Sequence, residues 1–142
     1  MKTNYWICDR CGEKINTFDD GYIEWLRDMQ SNKLDKFHLV HNKEGCLYNE
    51  TIGTSKGYSV PGNHLKYFLG EDGLMRFLEI LDNEHLVNPF DLVELIKRTQ
   101  ISGYEQARFH LEEGHSEGII DGPRNYGYYP SVGQIEDIND TY

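Results

Sequence analysis

Residues 5–14 read YWICDRCGEK, and residues 37–46 read FHLVHNKEGC. The fold turns on how the first stretch is completed by the second. Cys8-Asp9-Arg10-Cys11-Gly12 follows the apolar pair Trp6-Ile7. This pattern suits a strand running into a tight turn, where two thiolates converge on one ion and Gly12 takes the left-handed backbone the turn requires. Other chemistries share the spacing. A redox dithiol sits at a helix N-terminus after a strand, within a βαβ pattern, and no such pattern surrounds Cys8 and Cys11. Haem attachment needs His directly after the second cysteine, where this chain has Gly12. The base-deaminase signature, His-x-Glu followed by Pro-Cys-x-x-Cys, is absent. The stretch therefore predicts a metal site.

Two thiolates need two more ligands, and His38, His41 and Cys46 are the candidates. Cys46 with one histidine completes a Cys3His set, a closed structural zinc site. In KFHLVH the alternation puts Phe37, Leu39 and His41 on one strand face and His38 with Val40 on the other. His41 stands at the strand end beside the turn-forming NKEG, from which it can swing onto a metal together with Cys46. The expected ligands are Cys8, Cys11, His41 and Cys46 around a structural Zn2+. His38 is expected to be a half-exposed strand residue or a group behind the ligands. Four protein ligands leave no coordination position for an activated water.

Between the two ligand pairs, GYIEWL alternates Tyr22, Glu24 and Leu26 against Ile23 and Trp25. KFHLVH is its expected antiparallel partner across the polar RDMQSNKLD. A knuckle, a β-hairpin and a second His/Cys pair make residues 5–50 resemble the treble-clef and zinc-ribbon zinc fingers. On this resemblance the matching residues are Cys8, Cys11, His41 and Cys46. The second pair departs from the common pattern, with four residues between its members where two is usual. Such fingers serve DNA, RNA, protein and purely structural roles alike.

The chain has 142 residues, enough for one domain or one domain with a small lobe. It holds no run near the roughly 18 apolar residues of a membrane span and no secretory pattern at the N-terminus, so a reducing, cytoplasmic setting is expected. The three cysteines cannot form a closed set of internal disulfides. Net charge is −10, and it is uneven. Residues 1–60 carry 8 Lys+Arg and 9 Asp+Glu, whereas residues 61–142 carry 6 and 15. The expected organisation is a zinc-binding β-rich unit over 1–60 and an acidic helical lobe with a Tyr-rich tail over 61–142, possible as one compact domain. The acidic half repels phosphate backbones and favours a basic partner.

After a Gly/Ser/Thr/Pro connector at 53–62, three helical patterns follow. In the first, 72–82, Leu74, Phe77, Leu78 and Leu81 share one face, expected to point inward, with Met75 at its edge. The second opens at Asn88-Pro89, with Asp91 in its first turn and Lys97 and Arg98 near its end. The third opens with the capping-box pattern Ser102-Gly103-Tyr104-Glu105 and stops at Gly114. Helices two and three could form a helix-turn-helix, but the third offers only Gln106 and Arg108 for base contacts, against Glu105, Glu112 and Glu113. An αα-hairpin packed on the core is preferred. Tyr126, Tyr128 and Tyr129 are expected to pack over the domain, and residues 136–142 to be disordered.

No phosphate-binding loop, nucleophile elbow or His-Glu-x-x-His is present. His64, His85, His110 and His115 are expected to be surface or structural residues. The expected fold is α+β, a zinc-stapled β-hairpin unit packed on a three-helix acidic lobe. The expected function is a non-enzymatic protein-interaction or regulatory module that meets a basic protein surface, possible as an acidic inhibitor of a nucleic-acid-handling protein. The alternatives are a nucleic-acid-binding transcriptional regulator, and a small hydrolase or transferase with an unrecognised carboxylate site.

Overall fold

The computed structural model describes residues 5–49, 54–120 and 127–142. Tyr126 and the start of the expected connector lie outside them. The fold is α+β. Strands β1 (Trp6–Ile7) and β2 (Lys14–Ile15) form a short antiparallel pair around the knuckle. Strands β3 (Gly21–Asp28) and β4 (Leu34–His41) form the expected antiparallel hairpin, with Ile23 opposite Leu39 and Glu24 opposite His38. The register shifts between Glu24 and Leu26. There β4 carries one extra residue, Lys36, at φ 55°, and such a bulge bends the strand.

The connector is not a plain loop. Tyr58–Ser59 (β5) and Gly62–His64 (β6) both pair with β3, on the edge that β4 leaves free. Gly62 permits this approach, because a Cβ there would lie 2.7 Å from the Ile23 carbonyl oxygen and 2.8 Å from Glu24 Cβ. The glycine that reads as a loop signal is a close-contact residue of a sheet. β3, covered on both edges, is the spine of the β-structure.

Among the described residues five α-helices follow: α1 (Gly70–Asn83), α2 (Pro89–Gln100), α3 (Tyr104–Ala107), α4 (Leu111–Ser116) and α5 (Val132–Thr141). Asn88 caps α2 by accepting from the Phe90 N–H at 3.1 Å, and Pro89 takes the first position, as the sequence predicts. The inward face of α1 differs from expectation. Gly73 and Phe77 are its buried residues and Ile80 packs at their side, while Leu74, Leu78 and Leu81 are exposed. Helix three is broken by a 3-10 turn at Arg108–His110. Gly103, at φ 81°, stands at the start of α3, and Glu105 turns into the interior rather than closing a capping box. Gly114 is not the stop. It is buried inside α4, where a Cβ would come within 3.1 Å of Ile138, and the chain leaves the helix at Gly118, φ 80°. Residues 132–141, expected in part to be disordered, form α5 with a complete Ser131/Gln134 capping box.

One buried cluster joins the two halves of the chain, running from Trp6, Ile23, Trp25, Phe37 and Leu39 to Phe68, Phe77, Leu92 and Leu95. Trp25 stacks on Phe37 with centroids 5.0 Å apart, and Phe68 packs against both Trp25 and Phe77. A second cluster joins Tyr104, Ala107 and Leu111 to Ile120, Ile135 and Ile138, with Tyr128 at its side. Tyr129 is exposed, with Lys97 Nζ 3.9 Å from its ring centroid. Among the described residues no helix is long and apolar enough to cross a membrane.

Candidate metal centre

The knuckle between β1 and β2 is closed by backbone hydrogen bonds. The Cys8 N–H donates to the Glu13 carbonyl at 2.9 Å, and the Gly12 N–H to the Cys8 carbonyl at 3.0 Å. Gly12 takes φ 78°, the left-handed conformation expected of it. The other pair comes from the end of β4 and the turn after it. His41 is the last residue of β4, and Gly45, at φ 93°, lets the turn place Cys46. Asp9 holds the two parts together, because its N–H donates to the Leu39 carbonyl at 2.9 Å and its carboxylate accepts the Leu39 N–H at 2.8 Å.

Cys8, Cys11, His41 and Cys46 each bring one donor atom into a group whose members all lie within 4.8 Å of one another. His41 Nδ1 is 3.3 Å from Cys11 Sγ and 3.9 Å from Cys46 Sγ. Zinc at about 2.3 Å from sulfur and about 2.0 Å from nitrogen sets tetrahedral donors about 3.5–3.8 Å apart. The four atoms need only a small contraction to fit. His41 Nε2 lies 3.0 Å from the Lys14 carbonyl oxygen. A carbonyl only accepts, so Nε2 carries the proton and Nδ1 presents its lone pair to the cluster, the arrangement metal-ligating histidines use. The four residues can hold a metal ion.

The electrostatics point the same way. For Cys8 the largest single influence is burial, which opposes the thiolate. The N–H groups of Cys11, His41 and Arg10 and the His41 ring together outweigh it, and the thiol is pulled down to about 6. Burial first, then the neighbouring Cys8 and Cys11 sulfurs, push Cys46 up to about 11. Three sulfurs crowded around one point without compensating charge is an arrangement that a cation relieves.

His38 is elsewhere. It faces away from the cluster, with Nε2 2.8 Å from the buried carboxylate of Glu24 and its ring stacked on Tyr48 at 3.9 Å. The Tyr48 N–H also donates to Glu24, whose charge is thus held by two donors.

Sequence reasoning missed the group behind the knuckle. Arg98, buried in α2, donates to both Asp9 oxygens at 3.0 and 2.8 Å, to the Ile7 carbonyl at 2.9 Å, and to both Glu105 oxygens at 2.7 and 3.0 Å. Glu105 also accepts from Arg108 at 2.7 Å and from the Ile7 N–H at 2.9 Å. The Cys-x-x-Cys step is thereby tied to α2 and α3 through one of its intervening residues. Nothing in the spacing of residues 9, 98 and 105 signals this. The only clue is that α2 places Arg98 and Leu95 on adjoining positions of one stripe, so the arginine points where the leucine does.

No protein-family model, curated protein or solved structure matches the chain.

Proposed function

We propose that the chain is a zinc-stapled, non-enzymatic interaction module whose partner presents a basic surface. The observation that carries this reading is the closed donor set. Four side chains from the knuckle, the end of β4 and the following turn converge on one point, with Cys8 and His41 oriented by hydrogen bonds outside the donor set and Cys46 held by burial. Thiolate and imidazole donors in this ratio suit zinc. A full tetrahedron leaves no place for a reacting water, so the metal would act as a scaffold. The order of knuckle, hairpin and second pair supports a treble-clef-like unit. The two most buried carboxylates, Glu24 and Glu105, are both occupied by ion pairs and N–H donors, which does not favour an acid–base site built on them.

The acidic second half supplies the partner preference, by attraction to Lys and Arg and repulsion of phosphate. The nucleic-acid reading has less support. Its best base-reading group, Arg108, is paired with Glu105, and its recognition helix is interrupted at Arg108–His110. The test is binding of labelled polylysine and of a labelled DNA duplex to the zinc-loaded chain at low salt. Polylysine should bind and be released as salt rises. Duplex binding with a steep salt slope, and none of polylysine, would replace this reading with a nucleic-acid regulator.

A further inference from the structure

Helix α1 carries an apolar ridge that the fold covers only in part. Gly73, Phe77 and Ile80 bind it to the core, yet Leu81 (39 % exposed), Leu74 (37 %), Leu78 (47 %) and Met75 (66 %) continue the apolar stripe outward. At about 100° per residue these four follow one another around the helix, away from the buried side. Glu71 and Asp82 fall between Leu78 and Met75, Glu79 and Asp72 fall beyond Met75, and all four are exposed. None of these carboxylates has an ion pair or hydrogen bond among the described residues. The one cation of α1, Arg76, lies over the Tyr67 ring with its guanidinium 5.2 Å from the centroid. The carboxylates near 112–117 differ, since Glu112 accepts from the Tyr128 hydroxyl, Glu113 pairs with His110, and Glu117 bonds the Tyr142 phenol.

We propose that α1 is the docking site for an amphipathic helix of a partner protein, with Leu-type side chains on one face and Lys or Arg on its flanks. This deepens the interaction-module reading and rests on it, because it assigns the basic partner to a particular surface. Charge complementarity selects the occupant. A ridge of three leucines and a methionine takes apolar knobs from a facing helix, and the unpaired carboxylates around Met75, on the solvent side of the ridge, take that helix's cations. A second copy of this chain is a poor occupant, since facing α1 helices would bring four carboxylates and one guanidinium from each side together.

The probe is a labelled amphipathic peptide of Leu and Lys, about 18 residues or five turns long. A peptide with Ser replacing Leu at equal charge is the control, and both are read by fluorescence anisotropy on the zinc-loaded chain. The Leu/Lys peptide should bind roughly tenfold or more tightly than the Ser/Lys peptide, as burial of two or three apolar anchors requires. Leu74→Ser with Leu78→Ser should reduce its binding to the Ser/Lys level, and Met75→Ser with Leu78→Ser, at the two most exposed positions of the ridge, should weaken it with unchanged circular dichroism. Glu79→Gln with Asp82→Asn should weaken binding and flatten its salt dependence, while neutralising Glu112, Glu113 and Glu117 should leave it unchanged. Unchanged binding by the double-leucine variant overturns the proposal. If neutralising Glu112, Glu113 and Glu117 alone abolishes binding, a basic partner stands but this site falls. No binding of either peptide at low salt removes both. Self-association that the double-leucine variant abolishes assigns the ridge to a second copy and also overturns the proposal.

Discussion

Arg98 brings a positive charge into the seam between the knuckle and the helices, and only 5 % of its surface is exposed. Burial lowers the guanidinium's pKa, but the hydrogen bonds and charges of Glu105 and Asp9 more than offset this and raise it above its ordinary value. Breaking such a pair leaves an unmatched buried charge. Arg98→Ala should therefore cost about 3–5 kcal/mol in urea unfolding, whereas Arg10→Ala, at an exposed knuckle position, should cost little. The two histidines separate by function. His41→Ala should lose the metal, while His38→Ala should keep it and lose about 1–3 kcal/mol of stability as Glu24 is left under-satisfied. This distinction is readable from the sequence because strand parity and the adjoining turn set His41 apart from His38. The Arg98 network is not readable, because its members stand 89 and 7 residues apart and their pairing exists only once α2 has docked. Proton release follows from the thiols. In the metal-free chain Cys46, at about 11, holds its proton at neutral pH, whereas Cys8, at about 6, is mostly thiolate. A metal must displace the Cys46 proton, so apparent zinc affinity should rise about tenfold per pH unit on that account alone. As pH falls through about 6, Cys8 takes up a proton too, and affinity should drop one further proton more steeply. Competition with a chromogenic chelator across pH 5–9 checks the slope.

The elements show where local pattern decides structure and where it does not. The start of α2 is legible because Asn-Pro specifies a cap and a first helical residue together. The inner face of α1 is not, because periodicity gives the direction of an apolar stripe but not how much of it the neighbours cover. Phe77 fills the contact and Gly73 lies against the backbone of Phe68, so the leucines beside them remain outside. A Cβ at Gly73 would fall 2.1 Å from the Phe68 carbonyl carbon. Gly73→Ala should thus cost about 3 kcal/mol by overpacking, despite the better helix propensity of Ala, as thermal melts can measure. Strands β5 and β6 are too short to alternate, and Gly62 with Pro61 before it resembles a linker. The capping box of α5 is present as SVGQ, but Tyr, Gly and Pro around it mask a helix whose Ile135 and Ile138 complete the second core.

At the scale of the whole molecule the candidate metal site, the ion-pair seam and the main core are connected in series. The metal would fix the knuckle to the end of β4, Asp9 passes that constraint to Arg98, and Arg98 passes it to α2 and α3. Cys8 and Cys46 belong to the same buried cluster as Leu92 and Leu95. Metal binding should therefore be coupled to folding well beyond residues 5–50. The most direct measurement is metal analysis of the purified chain beside its Cys46→Ser variant, with unfolding of both followed by circular dichroism. About one zinc per native chain is expected, with loss of both the zinc and the cooperative unfolding transition in the variant. A native chain free of metal that unfolds with the same midpoint as Cys46→Ser would contradict this.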